Sequence, residues 1–234
     1  MNESSTRNVD VEQIPLIELN SDNIHQEWDN LTNSLKDCTF ISLDLEMSGL
    51  GKREELNDQS IDERYKNIRK AASSYSIFSF GISCFKICSF ESDNRVIVKN
   101  KSFDLALLCS DHFMVDPESI QFLIFNKHDI ALNFTKGIKY YRGNDRYQDQ
   151  NYRQYPRELF SLISNAKKPI VLHNGLIDLI FMYQNFYANA PENLMKFLAD
   201  LSELFQSGIY DTKFISEFYG RYNSTYLEYL YYKS

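Results

Sequence analysis

The segment Phe40–Gly51, FISLDLEMSGLG, constrains this chain more than any other. Its apolar alternation reads as a β-strand, yet two carboxylates lie one residue apart within it. Side chains alternate along a strand, so Asp44 and Glu46 leave one face while Leu43 and Leu45 leave the other. Two anions about 7 Å apart on a half-buried face repel each other and lose hydration unless something cationic joins them. No Lys or Arg lies in the segment to do so. A divalent metal would. An incidental Asp-x-Glu on a solvated sheet face is the other reading, and for this segment taken alone the commoner one.

A second stretch, HNGLIDLIFMYQNFY from His173 to Tyr187, raises the same problem on a helix. Asp178 is the lone charge in the apolar run Gly175–Tyr183, with apolar neighbours on every side. A buried carboxylate needs a partner, and a helix that starts just past a strand end sits where α/β folds bind ligands. An internal hydrogen bond or ion pair would satisfy it equally well. Taken with Asp44 and Glu46, it suggests a hard, oxygen-ligated ion such as Mg²⁺. His173 is read as a strand-end packing residue and not as a general base.

The net charge of −7 argues against a general affinity for nucleic acid, but the charge is unevenly spread. Between Lys136 and Lys168 lie eight basic residues (Lys136, Lys139, Arg142, Arg146, Arg153, Arg157, Lys167, Lys168) against three acids, Asp145, Asp149 and Glu158. Tyr140, Tyr141, Tyr147, Tyr152 and Tyr155 are threaded among them, a pattern suited to stacking bases and holding phosphates, or to a plain solvated loop. The cysteines Cys38, Cys84, Cys88 and Cys109 have no framework or zinc spacing and read as reduced thiols. No signal-peptide pattern opens the sequence and no apolar run nears the ~18 residues of a membrane span, so a soluble intracellular protein is expected.

Residues 1–12 read as a loose tail. A helix is expected from a Ser21 cap, with Ile24, Trp28, Leu31 and Leu35 on one stripe. A strand over Cys38–Glu46, a helix over Ile61–Ala72, strands over Ser76–Lys86 and near Arg95–Leu107, and a helix from Pro117 follow. Residues 127–152 carry little periodicity and read as a long excursion. Beyond them come a helix near Arg157–Ala166, a strand at Pro169–His173, helices over Asn174–Tyr187 and Glu192–Phe205, a strand at Gly208–Tyr210 and helical material to the end. Strands separated by helices point to an α/β fold with a mixed sheet.

The stretches FISLDLEMSGLG, IDERYKNIRKAA, FSFGISCFK, PESIQFLI, GIKYYRGND, VLHNGLIDLIFMYQNFY and GIYDTKF, in this order between about Pro15 and Lys233, resemble the DEDD ribonuclease superfamily. Within it they are most similar to the poly(A)-specific ribonuclease branch, and there to a nuclear deadenylase. The resemblance implies a ribonuclease-H-like mixed sheet flanked by helices over residues 13–234. It also implies a 3′-to-5′ exoribonuclease trimming oligo(A) or poly(A) tails to 5′-AMP with two ions, Mg²⁺ or Mn²⁺, held by Asp44, Glu46 and Asp178. Contacts to the 3′ nucleotide fall by resemblance on Met47, Leu50, Ile120, Phe122, Asn174 and Lys213, with core packing the alternative for Ile120 and Phe122. Single-stranded RNA is the implied partner, a homodimer is allowed, no membrane is involved, and the nucleus is the implied location.

The sequence departs from the family pattern in one respect. The family's sites close with an H-x-A-G-x-D segment supplying a general-base His and a fourth acid, and Ser234 is reached without one; Asp211 matches a different family position. The family's CCCH zinc finger and basic localisation segment are not in the sequence either. The expectation is therefore a C-terminally incomplete domain, weak or slow as it stands, with a catalytically impaired RNA- or partner-binding module as the rival reading.

Overall fold

Period-two alternation in the long strands builds the frame that holds the candidate acids. The computed structural model describes residues 15–91, 95–143 and 153–233. The expected tail at residues 1–12, and Asp145, Arg146, Tyr147, Asp149 and Tyr152 of the basic stretch, lie outside the described residues. In chain order the elements are β1 (Leu16–Leu19), α1 (Ile24–Asp37), β2 (Phe40–Met47), α2 (Arg53–Leu56), α3 (Ile61–Ser74), β3 (Ile77–Phe90), β4 (Val96–Cys109), α4 (Pro117–Phe125), α5 (Ile130–Lys136) and β5 (Ile138–Tyr140). After these come α6 (Tyr155–Asn165), β6 (Ile170–Leu172), α7 (Leu176–Met182), α8 (Leu194–Leu204), β7 (Ile209–Asp211), α9 (Thr212–Phe214) and α10 (Leu227–Lys233).

Among the described residues the strands form one mixed sheet in the order β1-β4-β3-β2-β6-β7, with β5 added beside β4. The hairpin β2–β3–β4 is antiparallel, whereas β6 joins β2, β7 joins β6 and β1 joins β4 in parallel. The sheet is central and the helices pack around it, the α/β architecture expected from the order of strands and helices. One face carries the core. Ile41, Leu43 and Leu45 of β2, Phe80, Ile82 and Cys84 of β3 and Phe103 and Leu105 of β4 are all buried there. They join the α1 stripe of Ile24, Trp28, Leu31 and Leu35 and the apolar side of α6 and α7 in one cluster.

Local chemistry sets the helix starts. Asp116 accepts from Glu118 N at 3.2 Å ahead of Pro117, which supplies the first turn of α4 with a fixed φ. Ser60 caps α3 through Glu63 N. The α3 stripe shifts slightly from expectation: Ile61 is exposed and Ala71 takes a buried place beside Tyr65, Ile68 and Ala72. Helix α1 begins at Ile24 and not after Ser21, because the Asn23 side chain turns back onto Asn20 N and Glu18 O.

Three expectations are corrected. The excursion read over 127–152 contains α5 and β5. Its periodicity was hidden by Asn133, a polar residue at a fully buried position, whose side-chain amide donates to Phe78 O (2.6 Å) and Leu107 O (3.1 Å). Strand β5 is three residues long and exists through its parallel pairing with β4, a long-range event that no local pattern announces. The same holds for β1, four residues paired with Ser102–Leu105, for which no strand was expected. Helix α7 is also shorter than the Asn174–Tyr187 expected. It starts late and widens into a π-turn over Tyr183–Tyr187.

Candidate active site

Strand β2 delivers two carboxylates to the face opposite the core. Asp44 is exposed there and Glu46 half-buried. Antiparallel pairing sets Gly81 opposite Asp44 and Ser79 opposite Glu46, with Asp104 of β4 opposite Gly81. Directly opposed residues share a face, so Asp104 belongs to the same acidic surface. These residues floor an open groove of about 580 Å³, whose far rim is the turn after α4 with Lys127 and His128.

Asp178 arrives from the other flank. Asn174 adopts a left-handed backbone (φ 59°), a conformation that Asn tolerates better than most residues. The turn is secured by Asp211, whose carboxylate accepts from Asn174 N and Gly175 N, both at 3.0 Å, and also from Lys213 N and Phe214 N. That delays the start of α7 and aims Asp178 back at β2, where its Oδ1 accepts from Leu45 N at 3.1 Å. The backbone hydrogen bond named as an alternative for Asp178 is therefore present, and the residue still lies within electrostatic reach of Asp44 and Glu46.

The electrostatics describe an acidic cluster to which, among the described residues, no Lys or Arg is paired. Burial, then the charges of Asp44 and Asp104, pushes Glu46 up to about 7. Burial and the charge of Asp44 push Asp178 up to about 7. Asp44 is open to the groove, yet the protein around its carboxyl displaces water, and that desolvation and the charge of Asp104 raise it, with His173 opposing. Among the described residues no Lys or Arg pairs with any of the three. Nor do three His, Cys, Asp or Glu side chains there already stand close enough to grip an ion. Carboxylates with no cation between them gain nothing by meeting. As a donor set they fit a hard divalent cation such as Mg²⁺ or Mn²⁺: all oxygen, anionic, partly desolvated and otherwise unpaired.

The residues expected at the 3′ nucleotide fall into three groups. Asn174 and Lys213 meet, with Lys213 Nζ donating to Asn174 Oδ1 at 3.4 Å beside the turn that aims Asp178. Met47 is buried in the core, and Leu50 packs partly against it. Ile120 is half-buried, while Phe122 is 60% exposed and thus not the core residue offered as its alternative. His173 donates to or accepts from Thr212 Oγ1 at 2.9 Å through Nδ1 at the end of β6, which holds the ring in place beside Asp44.

The described basic residues between Lys136 and Lys168 are largely tied into the fold. Lys136 pairs with Asp22 (2.6 Å). The Arg142 guanidinium donates to the carbonyls of Ser73 and Ser74. Arg153 grips Glu158 and lies over the rings of Trp28 (5.0 Å) and Tyr155 (4.7 Å), and Tyr140 is buried. Residues that sequence reasoning missed are Asp104, Ser79 and Gly81. The available signal was the lone acid in FDLALL, the same anomaly that singled out Asp178.

Comparison with known proteins bears on the fold and the family. The fold is similar to S. pombe Pop2p in its Mg²⁺- and Mn²⁺-bound form (TM-score 0.67, 18% identity, 90% of this chain and 78% of that one). It is equally similar to the RNase domain of yeast Pop2 (TM-score 0.66, 14% identity, 92% and 74%). Among curated proteins the chain is 34% identical over 58 residues to the pre-piRNA 3′-exonuclease trimmer of Bombyx mori, and 37% identical over 59 residues to an uncharacterised Schizosaccharomyces pombe protein. Each match covers 25% of this chain but only 11% and 14% of those relatives' lengths. The model of the CAF1 family ribonucleases matches residues 19–156 and 148–234, so the chain belongs to the CAF1 ribonuclease family.

Proposed function

We propose that this chain is a 3′-to-5′ exoribonuclease that trims A-tailed RNA, with Asp44, Glu46 and Asp178 holding two divalent cations. One observation carries the reading: three carboxylates from two distant segments lie within electrostatic reach of one another beside β2, an interior strand, and among the described residues no Lys or Arg pairs with them. Like charges are held together at such expense where a bound cation or a reacting group repays it. Bound there, the ions would supply an acidified water and charge stabilisation at the scissile phosphate.

The chain's own residues have separable tasks. Asp44 and Glu46, fixed in register by β3, present oxygens to the groove. Asp178 faces them from α7, its direction set by Leu45 N. Asp211 holds no ion in this reading, because its two oxygens are taken by four backbone N–H groups. Asn174 and Lys213 receive the 3′ end of the RNA, and Phe122 offers an exposed ring on α4. Within the superfamily, the poly(A)-specific ribonuclease branch is the finer placement in this reading, supported by the order of the sequence motifs. A nuclear site of action and a homodimer rest on that placement.

The test is a 5′-labelled RNA with a 3′ oligo(A) tail, incubated with the protein and Mg²⁺ or Mn²⁺. Stepwise shortening from the 3′ end with release of 5′-AMP, abolished by chelator and in Asp44→Asn, is the expected result. Internal cleavage, or shortening that persists in chelator, would overturn the reading.

A further inference from the structure

We propose that Asp104 is a fourth carboxylate of this metal centre, positioned by Ser79 and opened towards Asp44 by Gly81. The inference rests on the reading that Asp44, Glu46 and Asp178 hold divalent cations. It assigns a role to a residue on a different strand that neither motif contains.

Four observations converge on it. First, the register runs Glu18–Asp104–Gly81–Asp44 across β1, β4, β3 and β2, so all four residues project on the groove face. Second, the position between the two aspartates is a glycine. A Cβ built at Gly81 would lie 3.3 Å from Asp44 O and 3.9 Å from Asp44 Cβ. Strands stand about 4.8 Å apart, so a larger side chain there would wall Asp104 off from Asp44. Third, the Ser79 hydroxyl, opposite Glu46, donates to Asp104 Oδ1 and fixes that carboxylate alongside the Asp44–Glu46 pair. Fourth, Asp104 is flanked by Phe103 and Leu105, both fully buried, and among the described residues it makes no ion pair. A half-buried carboxylate held by one hydroxyl and no counter-charge keeps its remaining lone pairs free for a ligand in the groove.

The chemistry is that of a hard dication. Asp178 stands on the β6 side of the Asp44–Glu46 pair and Asp104 on the β3–β4 side. Asp104 would act on the bound ion or its hydration shell from the flank that Asp178 does not reach, raising affinity and keeping the water there oriented.

The experiment is a Mn²⁺ titration of the 234-residue protein without RNA, followed by calorimetry and by the EPR signal of free Mn²⁺. Asp104→Asn keeps the volume and an oxygen to accept from Ser79, and removes only the charge. It should weaken Mn²⁺ binding by roughly 10–100-fold, the usual cost of losing a supporting group at a metal centre. Glu18→Gln removes a neighbouring charge from the same row, farther from Asp44, and should bind as wild type does. Ser79→Ala should weaken binding by less than Asp104→Asn. Melting in chelator reports whether each variant folds, and Asp104→Asn should melt above wild type because a like charge is gone. Unchanged affinity in Asp104→Asn, or an equal loss in Glu18→Gln, would overturn the proposal while loss of binding in Asp44→Asn left the metal reading intact. Unchanged affinity in Asp44→Asn, or no binding by wild type, would overturn both.

Discussion

Strand β2 has two faces that obey the same alternation and do opposite things. Ile41, Leu43 and Leu45 meet Phe80, Ile82 and Cys84 and vanish into the core. Ser42, Asp44 and Glu46 meet Ser83, Gly81 and Ser79, small residues that leave a groove above them. The first face stabilises by removing apolar area from water. The second opposes folding, since its acids are pushed towards their protonated forms by burial and by one another. The apolar face offsets that cost.

The largest expected effect lies on the acidic face. Asp44→Asn should reduce RNA trimming by about a thousandfold or more, because metal-supplied charge stabilisation is worth several kcal/mol. The same variant should melt higher than wild type in chelator. A variant that loses activity and also melts lower would break the contrast between the faces. On the apolar face Phe80→Ala should cost about 3–5 kcal/mol of stability, read by urea unfolding. Mn²⁺ affinity should stay unchanged at temperatures where that variant is folded.

Ser48 sits just past the acids, where the two faces meet. Its hydroxyl donates to Met114 O (2.7 Å) and accepts from Ser76 N (2.9 Å), and it is fully buried. Ser48→Ala orphans both groups and should cost about 1–3 kcal/mol. Nuclease activity at low temperature should fall only modestly.

A pH series sharpens the comparison further. Glu46 and Asp178 ordinarily titrate near 4.5 and 3.8 and are raised to about 7 in the folded protein. Between those values the folded state holds more protons than the unfolded chain, so stability must fall as pH rises. In chelator the protein should melt higher near pH 5 than near pH 8, with the added stability lost as pH passes about 7. Asp178→Asn should flatten that profile, and Phe80→Ala should leave its shape unchanged.

The smallest effect is expected away from both faces. Arg153→Gln removes a paired surface guanidinium and should cost only about 1 kcal/mol or less. Because Arg153 is spent on Glu158, Trp28 and Tyr155, the salt dependence of oligo(A) binding should not change. A shallower slope of binding against salt would return this stretch to the RNA-contacting surface first read in its composition.

Periodicity is a local property, and what it governs was legible in the sequence. The α1 stripe, the long strands, the start of α4 and the alternation that separates Asp44 and Glu46 from Leu43 and Leu45 all follow from backbone geometry acting on neighbouring residues. So does the anomaly of a lone Asp178 in an apolar helix. What only the tertiary structure decided is pairing: β1 and β5 against β4, Asn133 satisfied by two distant carbonyls, Asp211 consumed by the turn that starts α7, and Arg142 and Arg153 drawn into the fold. It also decided which acids share a face, because Asp104 lies opposite Gly81 only once β3 and β4 are in register. The physical reason is the same throughout. A side chain's own periodicity fixes the direction in which it points, but the charge, hydroxyl or backbone group it meets comes from a part of the chain that folding alone brings near.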